Sequence, residues 1–150
     1  ALTVFNGIIT GATGEEVGWR GYLQRYFEEN SNGNVIKSSL KVSLIWSFWH
    51  TPLWFVSSAG QPMDYLLNYI ITFIILNICV SIIIAICYNY CRNLFISMWI
   101  HFISNLFMSL VSPYFTSNSS MMESKCWLVL FYLLIAISFV LWDKMRHRIK

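Results

Sequence analysis

The chain has 150 residues, enough for one domain, with hydrophobic residues at 57%, charged residues at 11% and a formal net charge of +3. Soluble domains carry roughly a quarter charged residues, and a soluble helical bundle needs polar faces at the helical period, which "YLLNYIITFIILNICVSIIIAICYNY" does not have. The basic residues are not interleaved with aromatics and glycines in the manner of a nucleic-acid surface, so RNA and DNA partners are excluded.

In chain order, Leu2 to Thr13 is a short apolar stretch that runs into "TGEEVGWRG", Thr13 to Gly21. "ENSNGNVIKS" follows as a turn around Gly33. Beyond it no Asp, Glu, Lys or Arg interrupts the segments between Lys41 and Asp64, Asp64 and Arg92, Arg92 and Glu123, or Lys125 and Asp143. About 20 apolar residues cross the hydrocarbon core, which predicts four spanning helices over 40–57, 65–90, 94–112 and 126–142. With the first stretch the fold class is all-α: a polytopic transmembrane bundle of about five helices forming a single domain over 1–150. "TSNSSMMESK" is an extracellular loop.

Arg20, Arg25, Lys37 and Lys41 follow the first segment, Arg92 the third, and Lys144, Arg146, Arg148 and Lys150 the last. The 58–64 loop has no Lys or Arg, and the 113–125 loop has Lys125 alone. The positive-inside rule puts the four-residue cluster, Arg92 and the tail in the cytoplasm. Ala1 then lies outside with no initiator Met and no signal-peptide pattern, so the chain reads as the C-terminal core of a longer membrane protein. The tail, His147 included, is a solvated topology anchor. Cys79, Cys87, Cys91 and Cys126 show no CxxC or CxxH spacing and read as buried apolar cysteines.

Ionisable side chains in hydrocarbon are costly and face partners or cavities. Glu15 precedes Arg20 near the cytoplasmic end of the first segment. His50 lies about 13 Å past Lys41, and His101 about 10 Å into the segment beginning at Leu94, at 1.5 Å per residue. The three share a level in the cytoplasmic half. Asn68 and Asn77 read as hydrogen-bonding glue between helices.

Glu16 and Arg20, four apart, share a helix face and pair, while Glu15 points about 100° away. His101 and Asn105 also project together. Trp46, four before His50, braces its ring, and Pro52 kinks that helix. Gly7, Gly11, Gly14, Gly18 and Gly21 form a smooth stripe expected to pack against other helices. On this geometry Glu15 lies at the edge of the stripe and Glu16 opposite it, away from the neighbouring helices.

One carboxylate, two histidines and one amide at a common depth suit general-base hydrolysis: a carboxylate takes a proton from water, and hydrogen-bond donors stabilise the oxyanion. Zinc held by Glu15, His50 and His101 is the competing arrangement. No HExxH motif occurs.

"EEVGWRG" resembles the EExxxR signature of the CPBP family, which comprises CAAX proteases and bacteriocin-processing or immunity proteins and is also called Abi. "WSFWH" resembles its second motif and "HFISN" its third, HxxxN. The resemblance runs from about 11 to 110. It implies a polytopic membrane endopeptidase with Glu15 as the catalytic glutamate, His50 assisting, His101 and Asn105 stabilising the oxyanion, and Glu16 and Arg20 as a structural pair. The Ras-converting branch of the family removes a C-terminal tripeptide from prenylated proteins. Trp46 and Trp19 stand where Phe is common in the family, a change of pocket shape that keeps an aromatic ring.

The expected activity is hydrolysis of a peptide bond in a membrane-associated or lipid-modified protein or peptide, with no cofactor required and zinc as the alternative. The abundance of Ile, Asn, Ser and Lys suggests an AT-rich bacterial coding sequence, hence a bacterial plasma membrane and a role in bacteriocin immunity, peptide maturation or regulated cleavage. Two other classes compete: a non-catalytic membrane protein that confers immunity by binding, and an ion or proton carrier. The second lacks the repeats or broken-helix pair such carriers use.

Overall fold

The computed structural model describes residues 11–111 and 118–149, with side chains described over 11–110 and 123–146. Leu2 to Thr10, Gly7, residues 113–117 and the His147 side chain therefore lie outside the described residues, whereas 118–125, expected as the rest of an extracellular loop, are the first turns of the last helix. Among the described residues every regular element is helical.

The opening motif forms a short α1, Gly14–Glu16, that passes through a π-helical stretch, Val17–Gln24, into α2, Arg25–Glu29. A turn follows in which Asn32 and Gly33 both take positive φ, 53° and 72°, the left-handed conformation that Gly adopts without steric cost. Asn34 then caps α3, Val35–Trp49, its side chain accepting from the Lys37 backbone N–H at 2.9 Å. Such a cap contributes about 1 kcal/mol. Asn34→Ala is expected to lower stability by about that amount, read as a reduced thermal midpoint of the detergent-solubilised protein.

The predicted 40–57 span divides at His50. The α3 helix ends at Trp49, His50 sits in a turn with φ −88° and ψ 8°, and α4, Thr51–Ser57, starts with Pro52 in its first turn. Pro52 lacks an N–H and would crowd the preceding helical carbonyls, so the chain breaks just upstream. The break makes His50 a helix-end residue free to turn into the bundle. Next come α5, Met63–Cys91, α6, Leu94–Val111, and α7, Asn118–Ile149. Arg92 closes α5 in the left-handed conformation, its N–H bonding the Tyr88 carbonyl at 2.8 Å.

Helix α5 is apolar all round and lies at the centre, packed against α3, α6 and α7. Its Cys79, Val80, Ile83 and Ile84 form the core with Trp46 of α3 and Tyr132 and Ala136 of α7. Residues Met63–Cys91 and Glu123–Arg146 are each long and apolar enough to cross a membrane, and Leu94–Leu110 is a shorter apolar helix. The outer surface is apolar too, with Phe95, Trp99, Leu134 and Trp142 exposed, as for a bundle solvated by lipid.

Three expectations about packing are corrected. The glycine stripe faces outward: Gly14 and Gly18 are exposed, and a Cβ added at Gly11 or Gly18 would meet nothing within 4 Å. Gly21 does approach another helix, with Leu94 at 3.9 Å. The close-packing small residues are serines instead. Ser39, Ser43 and Ser47 recur every four residues on the α3 face toward α5 and are fully buried. The Ser39 and Ser43 hydroxyls donate back to the carbonyls of Ile36 and Leu40, at 2.9 and 2.8 Å, which satisfies them inside the bundle. Asn77 donates to Ser47 at 3.2 Å and joins α5 to α3, as expected, whereas Asn68 is exposed. Of the cysteines Cys79 is buried, but Cys91, at the end of α5, and Cys126, within α7, are exposed.

Candidate active site

The Glu16–Arg20 pair forms, and it forms inside the protein. Both side chains are 0% exposed, with Arg20 donating to Glu16 Oε1 at 3.0 Å. The second guanidinium nitrogen donates to the Ser81 hydroxyl at 3.0 Å and the Ser81 carbonyl at 3.3 Å. The guanidinium lies 5.1 Å from the Trp46 ring centroid. An ion pair turned outward would meet hydrocarbon, which solvates charge worse than partners inside a bundle do. A glycine loses little in either environment. That difference decides which face of the motif turns inward, and it is the reverse of the face expected from the glycines.

Glu16 also reaches the third motif. His101 Nδ1 lies 2.9 Å from the same Glu16 Oε1. With Nδ1–H donating to the carboxylate, the imidazole plane is fixed and Nε2 is left for other partners. His101 is 2% exposed and lines a cavity of about 670 Å³.

Glu15 is half-buried and its Oε2 accepts two indole N–H bonds, from Trp46 at 2.7 Å and Trp19 at 3.2 Å. Trp46 is the hub of the site. Its ring centroid lies 4.8 Å from that of His101 and 6.2 Å from that of His50, edge-on in both cases. His50 packs on Phe73 of α5 at 5.5 Å. Trp46, His50, His101 and Asn105 line the one cavity, with Asn77 deeper on α5. Glu15 is not itself among the lining residues and is joined to the cavity wall through its hydrogen bond from Trp46.

Glu15 of α1, His50 at the α3–α4 break and His101 of α6 thus converge on one tryptophan, and Asn105 lines the same cavity. Three links of the site go beyond the motifs themselves: Trp19, Ser81 and the Glu16–His101 contact. Trp19 was a reachable one, being four residues from Glu15 and so on its face. Ser81 and the Glu16–His101 contact join segments far apart in the chain and left no local signal. Among the described residues no group of three His, Cys, Asp or Glu side chains is gathered as a metal-ligand set.

Further contacts tie the motif helix down at its C-terminal end. Gln24, fully buried, donates to Glu28 at 2.7 Å and to the Val35 carbonyl at 3.1 Å. Arg25 donates to the Tyr88 hydroxyl at 2.8 Å. At the far end of α7, Arg146 lies over Tyr90 and Trp142, 4.2 and 5.5 Å from their ring centroids. Aromatic and basic residues grouped in this way mark membrane–water interfaces.

Residues 1–107 match the family profile of type II CAAX prenyl endopeptidases, Rce1-like. The chain belongs to this family. It is 30% identical over 143 residues to CAAX prenyl protease 2 of the archaeon Methanococcus maripaludis, an alignment covering 91% of this chain and 48% of the relative. The chain therefore spans about half the length of the curated relative it matches. No solved structure matches it significantly. As an Rce1-like protein it is membrane-integral, in agreement with its apolar helices.

Proposed function

We propose that this Rce1-like chain is an intramembrane endopeptidase that hydrolyses a peptide bond near the C-terminus of a membrane-associated, lipid-modified protein or peptide. The observation that carries the reading is Trp46, one ring that holds Glu15 by its N–H and abuts both histidines of the cavity wall. The name of the archaeal relative supports a lipid-modified substrate. The site faces the cytoplasmic half of a bacterial plasma membrane, on the distribution of basic residues. Bacteriocin immunity and peptide maturation are settings in which such cleavage serves.

In the proposed reaction Glu15 is the general base. Its Oε2 is held by the two tryptophans, and Oε1 takes a proton from water as the water oxygen bonds to the scissile carbonyl carbon. His50, turned in by the α3–α4 break, positions that water. The oxyanion is stabilised by the Asn105 amide and by His101, which donates from Nε2 when that nitrogen carries a proton. Glu16 keeps His101 in register and offsets the charge of the protonated ring. Collapse breaks the C–N bond, and the proton held by Glu15 passes to the leaving amine. Glu16 is unsuited to the base role, since it is fully buried and already bound to Arg20 and His101.

No metal enters this scheme. Purified protein assayed on a farnesylated C-terminal peptide is expected to keep its cleavage after exhaustive chelation and to hold no stoichiometric zinc. His101→Ala is expected to reduce cleavage by about 10²-fold or more, the effect of removing one oxyanion donor. Activity abolished by chelation and restored by zinc would overturn the metal-free mechanism.

A further inference from the structure

The cavity extends beyond the proposed catalytic groups, toward the start of α7. Leu53, Phe73, Leu76, Val80, Met108 and Leu128 make its wall largely apolar, and no Asp or Glu lines it. On that side stands Lys125, the one lining residue with a full positive charge apart from any protonated histidine. Lys125 is half-buried and its ammonium lies 3.7 Å from the Tyr69 ring centroid and 5.5 Å from that of Tyr65. Among the described residues it forms no ion pair. Ring faces attract an ammonium but leave its N–H donors available. A lysine drawn from water into an apolar cavity by two tyrosines is poised for an anion.

We propose that Lys125 binds the free C-terminal carboxylate of the peptide being cut, so that the cavity between Lys125 and the histidines holds the released fragment. This rests on the proteolytic reading above and names the end group its substrate must carry. The register supports it. Phe73 packs against His50 and Tyr69 carries Lys125, and these two rings stand 6.2 Å apart on successive turns of α5. An extended peptide advances about 3.3 Å per residue. Two or three residues then reach from a carbonyl at the histidines to a carboxylate at Lys125, and their side chains meet apolar wall. Specificity follows from the same geometry. A longer C-terminal tail overruns Lys125, and a blocked terminus leaves its ammonium buried without an anion.

The test uses one farnesylated peptide made as the C-terminal acid and as the amide, with the protein reconstituted in neutral phosphatidylcholine vesicles. Binding is measured in the Glu15→Gln background, where turnover does not interfere, and cleavage in the active protein. The acid is expected to bind at least about tenfold more tightly than the amide, the effect of one charge-assisted hydrogen bond. Lys125→Met should bring the acid to the level of the amide, and Lys125→Arg should retain the preference. A purely structural lysine would not make binding depend on the peptide's end group. Equal binding of acid and amide, or a preference that survives Lys125→Met, overturns the proposal. So does loss of the acid preference when phosphatidylglycerol is added to the vesicles, since the site would then belong to lipid headgroups. If the acid binds through Lys125 but active protein does not cut it, the carboxylate site stands and the proteolytic reading fails.

Discussion

Glu15→Gln protein is expected to insert and fold like the wild type and to cleave about 10²–10⁴-fold more slowly, the usual contribution of a general base. The substitution is close to isosteric. Its side-chain oxygen can still accept from Trp46 and Trp19, which now hold Oε2 at 2.7 and 3.2 Å, so the packing around the hub is kept. What is lost is an oxygen able to take a proton from water. A fall in kcat with little change in KM separates this outcome from damage to substrate binding. Circular dichroism and the thermal midpoint in detergent, unchanged, separate it from misfolding. Cleavage at the wild-type rate would remove Glu15 from the mechanism.

The second large effect is on stability. Glu16→Ala leaves Arg20 fully buried without its carboxylate and His101 without its Nδ1 partner. Breaking a buried ion pair in this way costs about 3–5 kcal/mol, enough to exhaust much of a domain's net stability. The yield of folded protein is expected to collapse. Replacing both partners, as Glu16→Leu with Arg20→Met, removes the uncompensated charge and should recover most of that loss, because hydrophobic replacement of a buried pair is often close to neutral. Cleavage should not recover with it, since His101 still lacks the carboxylate that orients its ring. Recovery of both would mean that the pair is purely structural. The ledger of the site includes two buried atoms, Glu16 Oε2 and Arg20 Nε, with no hydrogen-bond partner among the described residues. Such incomplete satisfaction fits a cluster kept for function as well as for packing.

Much of this was legible in the residues. Uncharged runs between charged positions located the helices, because length and apolarity alone decide what can cross hydrocarbon. Spacing at i and i+4 found Glu16–Arg20 and His101–Asn105, and it would have found Glu15–Trp19. Pro52 marked the break that frees His50. What the residues did not disclose was the sense of the opening helix. A stripe of glycines suggested the packed face, yet the inward face carries Glu16 and Arg20. The deciding terms are the partners they find, Ser81 and His101, which lie 61 and 85 residues away in sequence. Long-range partners leave no periodic trace. The serine face of α3 was similarly overlooked because serine counts as polar, although its hydroxyls turn back onto the helix and leave a small residue suited to close approach. In the sequence Lys125 is a lone charge, and only the cavity gives it something to face.

The most direct measurement is substrate-independent. Cells expressing wild-type protein and cells expressing Glu15→Gln at equal levels are compared by quantitative mass spectrometry of membrane-fraction C-termini. The account predicts a small set of membrane-associated proteins or peptides whose trimmed C-termini occur with the wild type and revert to their longer forms with Glu15→Gln. Identical sets of C-termini in the two strains would contradict it.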